Sequence, residues 1–291
     1  MRMCILTGAN AGIGKRAAAQ LAAKGMGVVM VCRSQARGEA AREEIVREAG
    51  ADHVWVMQAD LSLLSDVRRF MEEYRRRFER LDVLINNAAD FDLSRKAPQI
   101  TAEGHEAQFA TNVLAPHLLS TGLLPMLQAS GDARILNISS QGLMVYPNLR
   151  FDFEHMDGSG RYSPANTYYQ TKLALLMNSL SLREQLATSH PNVKVQAIRV
   201  TNVRIDTDRY PNLSPLMKAM YSLKRRMSMP PEKMAEVYTA LATEADHDGF
   251  LYDEKLREVK ANRHAYDAAD RARLWALCCN RVTVPGTVMK L

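Results

Sequence analysis

The chain has 291 residues, of which 47% are hydrophobic and 24% charged, and it carries a formal net charge of +6. That is ordinary globular composition with enough apolar residues for a large core; no run approaches the length of a membrane span and no charged-then-apolar leader opens the chain. The basic residues fall in short clusters, and Arg75-Arg76-Arg77 alternates with Phe70, Met71, Tyr74, Phe78 and Leu81 at helical spacing. That pattern describes a solvated helix face and argues against nucleic-acid binding. Four cysteines (Cys4, Cys32, Cys278, Cys279) and seven histidines show no metal-ligand spacing, so no metal is assigned and a reduced, cytoplasmic protein is expected.

Short β-rich runs at residues 3–7, 28–32, 54–59, 83–86, 134–139, 193–200 and 250–252 alternate with helical patterns. The helices are expected at 12–24, 38–49, 64–77, 102–128, 166–186, 231–243 and 268–279. Such alternation predicts an α/β fold: one doubly wound, Rossmann-type domain over residues 1–291, with a parallel sheet of about seven strands covered on both faces. Residues 202–229 interrupt the pattern with Leu213, Leu216, Met217, Met220, Tyr221, Leu223, Met227 and Met229, a composition suited to an adaptable hydrophobic lid. A packed helical excursion would have the same composition. The stretch 146–164, with Phe151, Phe153 and Tyr162, is a candidate opposing wall.

The segment Thr7-Gly8-Ala9-Asn10-Ala11-Gly12-Ile13-Gly14-Lys15 joins the first strand to the first helix. Glycines there permit a tight turn and the close approach of a pyrophosphate, whose charge is favoured at a helix N-terminus. At the end of the second strand, where selection of NAD calls for an acidic residue, the chain has Arg33, with Lys15 and Arg37 nearby. A cation there suits an adenosine 2′-phosphate, so NADP(H) is the expected cofactor, with NAD(H) second. Asp60-Leu61 follows the third strand, where an adenine amino group can be held, and Asn86-Asn87-Ala88-Ala89 follows the fourth, beside the cofactor groove.

Tyr168 and Lys172 are four residues apart in an apolar helical run and share one helix face. A tyrosine pKa of about 10 is too high for proton exchange at neutral pH, and an adjacent ammonium lowers it by favouring the phenolate.

In this order, Thr7–Gly14, Asp60-Leu61, Asn86–Ala89, Asn112, Ser139-Ser140 and Tyr168…Lys172 resemble the short-chain dehydrogenase/reductase family from residue 1 to about 200. Gly14-Lys15, Cys32-Arg33, the long 140–168 segment and the tail from Phe250 to Trp275 resemble its retinol-dehydrogenase-like branch. The resemblance implies a catalytic tetrad of Asn112, Ser140, Tyr168 and Lys172. Ser140, the second of its pair, would hydrogen-bond the substrate oxygen, Tyr168 would act as general acid and base, and Lys172 would tune it and bind the nicotinamide ribose. Asn112 would hold a water of the proton relay. Gly8, Asn10, Ala11, Gly12, Ile13, Gly14, Arg33, Arg37, Asp60, Leu61, Asn87, Ala88, Ala89 and Val203, with Tyr168 and Lys172, would contact the cofactor.

The chain departs from the family pattern in three places. Ala89 replaces a glycine, and Ser34 replaces an acidic residue. Val200-Thr201 stands where a Pro-Gly helps seat the nicotinamide, with Ile205 at the position of a threonine that follows and Thr207 two residues on. The implied activity is carbonyl–alcohol interconversion on a lipophilic small molecule, possible retinoid- or steroid-like substrates included, by a chain that in this family is often a homodimer or homotetramer. The rival reading is an NADPH-binding regulatory or sensor protein with little turnover. A serine hydrolase is excluded, because Asn137-Ile138-Ser139-Ser140-Gln141 is not a nucleophile elbow.

Overall fold

The structure is a computed structural model and describes residues 1–92, 94–156, 158–204 and 228–283. Among the described residues, seven parallel strands form one sheet: β1 (Met3–Thr7), β2 (Gly27–Cys32), β3 (Val54–Gln58), β4 (Val83–Asn86), β5 (Ala133–Ser140), β6 (Val193–Val200) and β7 (Leu251–Tyr252). Their spatial order is β3-β2-β1-β4-β5-β6-β7, so the winding reverses between β1 and β4. In such sheets the crevice at the reversal, outside the carboxyl ends of the strands, is where ligands bind.

Successive side chains of a strand enter opposite layers. Met3 and Ile5 join one core with helices α3 (Leu64–Arg77), α5 (Ala115–Gly122), α7 (Pro164–Ser189) and α9 (Ala268–Val282). Cys4 and Leu6 join the other, with α1 (Gly12–Ala23), α2 (Gln35–Ala49) and α8 (Pro231–Thr243). Burial on both faces explains why the strands read as continuous apolar runs rather than alternating ones.

Two helices differ most from expectation. Helix α2 begins at Gln35 rather than Gly38, because Ser34 caps it by accepting from the Arg37 N–H at 3.4 Å. The helix expected at 102–128 is instead broken into pieces. Gly104, with φ +79°, closes a turn, and α4 (Ala107–Phe109) starts after it, with the Glu106 carboxylate accepting from Phe109 N. A π-helical turn then runs over Ala110–Leu114, leading into α5. Pro116 has no N–H to give to the Asn112 carbonyl four residues back, and Pro125 likewise separates α6 (Leu124–Ala129) from α5.

The candidate wall is also revised. Phe151 is buried and stacks on Phe109 with centroids 5.9 Å apart, Phe153 packs edge-on against it, and the Arg273 guanidinium lies 4.2 Å over the Phe153 ring. These rings join the core and the C-terminal helix. The predicted lid falls almost wholly on residues 205–227, outside the described residues. Its flanks are tied together: Val203 bridges to Met229, with Met229 N donating to Asn202 O at 2.9 Å and Arg204 N to Met229 O at 3.0 Å.

Candidate active site

At the reversal point the end of β1 is fastened to the end of β4. The Thr7 hydroxyl donates to Ile85 O at 3.3 Å and accepts from Asn87 N and Ala88 N at 2.9 and 3.0 Å. The Asn87 amide donates to Thr7 O at 2.8 Å, and its Oδ1 accepts from the Tyr238 hydroxyl of α8 at 3.2 Å. Gly8 has a φ of +66° and lies so near Ala88 Cα that a side chain would come within 2.9 Å. At Gly14 a Cβ would meet Asn87 Nδ2 and Gly8 O, each at 2.6 Å.

Helix α1 starts from extended backbone at Ala11, with no side-chain cap and no acidic residue in its first turn. Its first amides are left for an outside acceptor, and bare backbone lines the approach. This cradle, made of Gly8, Asn10, Ala11, Gly12, Ile13 and Gly14, fits the pyrophosphate of a nicotinamide dinucleotide.

Arg33 and Arg37 are both exposed at the start of α2, and neither makes an ion pair among the described residues. Lys15 is engaged otherwise: its ammonium pairs with Glu44 of α2. Asp60 is held by its own turn, its Oδ1 accepting from Ser62 N and Ser62 Oγ at 2.9 and 2.7 Å, and Leu61 is buried. Glu103, distant in sequence, caps α3 by accepting from Leu64 N and Ser65 N, and Asp66 in the first turn of α3 accepts from Asp60 N at 2.6 Å.

Helix α7 carries Tyr168 and Lys172 on one face, capped by the Ser163 hydroxyl at Asn166 N. Lys172 is buried, its Nζ 5.6 Å from the centroid of the Tyr168 ring and donating to Ile138 O at 2.8 Å. Burial pulls its pKa down to about 7. On β5, Ser139 is buried while Ser140 is half-buried at the strand end, its Oγ accepting from Gly142 N at 3.2 Å.

The π turn aims Asn112 at this assembly. Its Oδ1 accepts from Asp90 N at 2.8 Å, and its Nδ2 donates to Asp90 O at 3.1 Å and to Thr171 Oγ1 at 3.0 Å. Thr171 in turn donates to Tyr168 O at 2.7 Å. The amide of Asn112 therefore joins the loop after β4 to the helix bearing Tyr168. Beside them Phe91 stands 4.4 Å from the Tyr168 ring, and Tyr169 packs on Tyr168 and Tyr146 over Gly142.

Sequence reading alone missed Phe91, Thr171 and Tyr238 as neighbours of the site. Thr171 lies between Tyr168 and Lys172 and was within reach of that reading, whereas Phe91 and Tyr238 gave no local signal. Val203 is buried and bridges to Met229, Ala89 follows Ala88 in the loop after β4, and Ile205 and Thr207 lie outside the described residues.

Comparison with known proteins agrees with this architecture. Residues 2–150 match the family model described as short chain dehydrogenase. Human retinol dehydrogenase 13 is 32% identical over 282 residues, covering 94% of this chain and 82% of that protein. An uncharacterised Mycobacterium paratuberculosis protein of known crystal structure superposes with a TM-score of 0.71 at 28% identity, covering 100% of this chain and 96% of that one. A metagenomic short-chain oxidoreductase solved in complex with NADP gives 0.59 at 26% identity, covering 89% and 96% respectively. A reversal-point glycine cradle, a Tyr–Lys pair on α7 and these matches lead to one assignment: the chain belongs to the short-chain dehydrogenase family, in its retinol-dehydrogenase-like branch.

Proposed function

We propose that this protein is an NADP(H)-dependent oxidoreductase that reduces the carbonyl of a lipophilic small molecule, working in the cytoplasm. The observation that carries the reading is the Tyr168–Lys172 pair on one face of α7, beside Ser140 on the adjoining strand end. Arg33 and Arg37, exposed and without ion pairs among the described residues, support NADP over NAD by offering charge to a 2′-phosphate. The retinol dehydrogenase 13 relative and the rings of Phe91, Tyr146 and Tyr169 support a lipophilic substrate.

Bound nicotinamide supplies the hydride. The Ser140 hydroxyl donates to the substrate oxygen and holds it in place. Tyr168 gives its phenolic proton to that oxygen as the alcohol forms. Lys172, whose burial places its proton exchange near neutral pH, stabilises the phenolate left behind and helps return a proton to it. Asn112 keeps Tyr168 in register through Thr171.

The test is nicotinamide absorbance with NADPH and then NADH against aldehydes, ketones, quinones and retinal, with Tyr168→Phe alongside. Turnover that disappears in the variant is expected. NADPH binding without turnover on any substrate would favour the second reading, a cofactor-binding regulatory protein, which the Val200-Thr201 departure motivates.

A further inference from the structure

Beyond β6 the chain has Thr201 where the family resemblance leads one to expect glycine, and that side chain makes a specific contact. Ser140 and Val200 are register partners at the ends of β5 and β6, so Gln141 and Thr201 are the next residues out from the sheet. Thr201 Oγ1 donates to Gln141 Oε1 at 2.6 Å. A glycine could not form this bond.

The contact sits between two parts of the proposed active site. On one side Gln141 lies between Ser140 and Gly142, in a turn already stiffened by the Gly142 N–H on Ser140 Oγ and by the Tyr169 ring against Gly142. On the other side Thr201 leads into residues 202–204, whose backbone is tied to Met229. Gln141 is exposed and Thr201 half-buried. A hydrogen bond so open to water adds little net stability, so its consequence is geometric.

We infer that Thr201 and Gln141 form a positioning brace, a side-chain substitute for the stiffness of Pro-Gly, which sets the turn after β6 against the turn bearing Ser140. The inference rests on the reading under Proposed function for the roles of Ser140 and of the nicotinamide-side turn. Both are positioning residues acting through their neighbours. The phosphate end of the cofactor would be held at the α1 cradle and Arg33, after β1 and β2, and β4 separates β1 from the β5–β6 ends that carry the brace. Loss of the brace therefore separates affinity from alignment.

The experiment compares Thr201→Val, Thr201→Ser, Gln141→Leu and the Thr201→Val/Gln141→Leu double variant with the wild type. Three quantities are read: NADPH affinity, the fluorescence enhancement of bound NADPH, and kcat with its isotope effect using NADPH deuterated at the transferred position. Thr201→Val should lose roughly half of the enhancement and about tenfold in kcat, with a larger isotope effect and an affinity within about threefold of wild type. Thr201→Ser should retain wild-type behaviour. The double variant should be no worse than Thr201→Val alone, as expected for two ends of one bond.

An unchanged Thr201→Val enzyme, a Thr201→Ser as impaired as Thr201→Val, or additive effects in the double variant would overturn the brace. A wild type that binds NADPH and reduces nothing overturns the proposed reductase activity instead. The brace is then decided by fluorescence alone: an enhancement lost in Thr201→Val and kept in Thr201→Ser supports it, and no difference between the variants refutes it.

Discussion

Lys172 donates through Nζ to the carbonyl of Ile138 at 2.8 Å, two residues before Ser140, in a setting that leaves the lysine 2% exposed. Burial lowers its pKa from 10.5 to about 7. Between those values the unfolded chain binds a proton that the folded chain does not, so stability of the cofactor-free protein should rise with pH across that window. Urea denaturation at pH 6.5 and pH 9 should show a lysine contribution on the order of 2 kcal/mol, and Lys172→Met should flatten the difference.

His117 follows the same sign in a more acidic window. It is buried against the edge of Trp275, with centroids 4.7 Å apart, and its Nε2 is 3.7 Å from Cys279 Sγ. Burial lowers its pKa from 6.5 to about 4. As pH falls through that interval the unfolded chain takes up a proton that the folded chain refuses, and stability declines by roughly 2 kcal/mol. Thermal melts from pH 7 to pH 4 should lose much of this slope in His117→Gln.

Gly14→Ala tests the cradle. The new methyl would meet Asn87 Nδ2 and Gly8 O at 2.6 Å, so the loop must open. A loss of about 1–3 kcal/mol in denaturant titration is expected, together with weakened binding of both NADPH and NADH.

Arg33→Ala tests cofactor choice. NADPH affinity should fall about tenfold while NADH affinity stays near wild type, because only the 2′-phosphate differs. Lys15→Ala should discriminate far less, since Lys15 is paired with Glu44. Titrations of both cofactors at fixed salt provide the comparison.

Strands were legible because burial on both faces writes them as unbroken apolar runs, and β1, β4 and β6 begin and end where the sequence suggests. The glycine turn and the Tyr168–Lys172 spacing were legible because each is a local pattern. Contacts between distant residues were not: Thr201 with Gln141, Glu103 with the start of α3, and Lys15 with Glu44 carry no mark in the chain until folding joins them. Composition also could not reveal the π turn, since Ala110–Leu114 is as apolar as the helix around it. Pro116 was the available clue, as a residue unable to donate to the carbonyl of Asn112.

That π turn gives this chain a constraint of length as well as of identity. It accommodates one residue more than an α-helix would, and each residue turns an α-helix by about 100°. Deleting a single residue from Ala110–Leu114 would therefore rotate one side of the turn against the other and present another side chain to Asp90 and Thr171 in place of Asn112. Substitutions around the turn can accumulate gradually, whereas insertions and deletions within it change the site in one step.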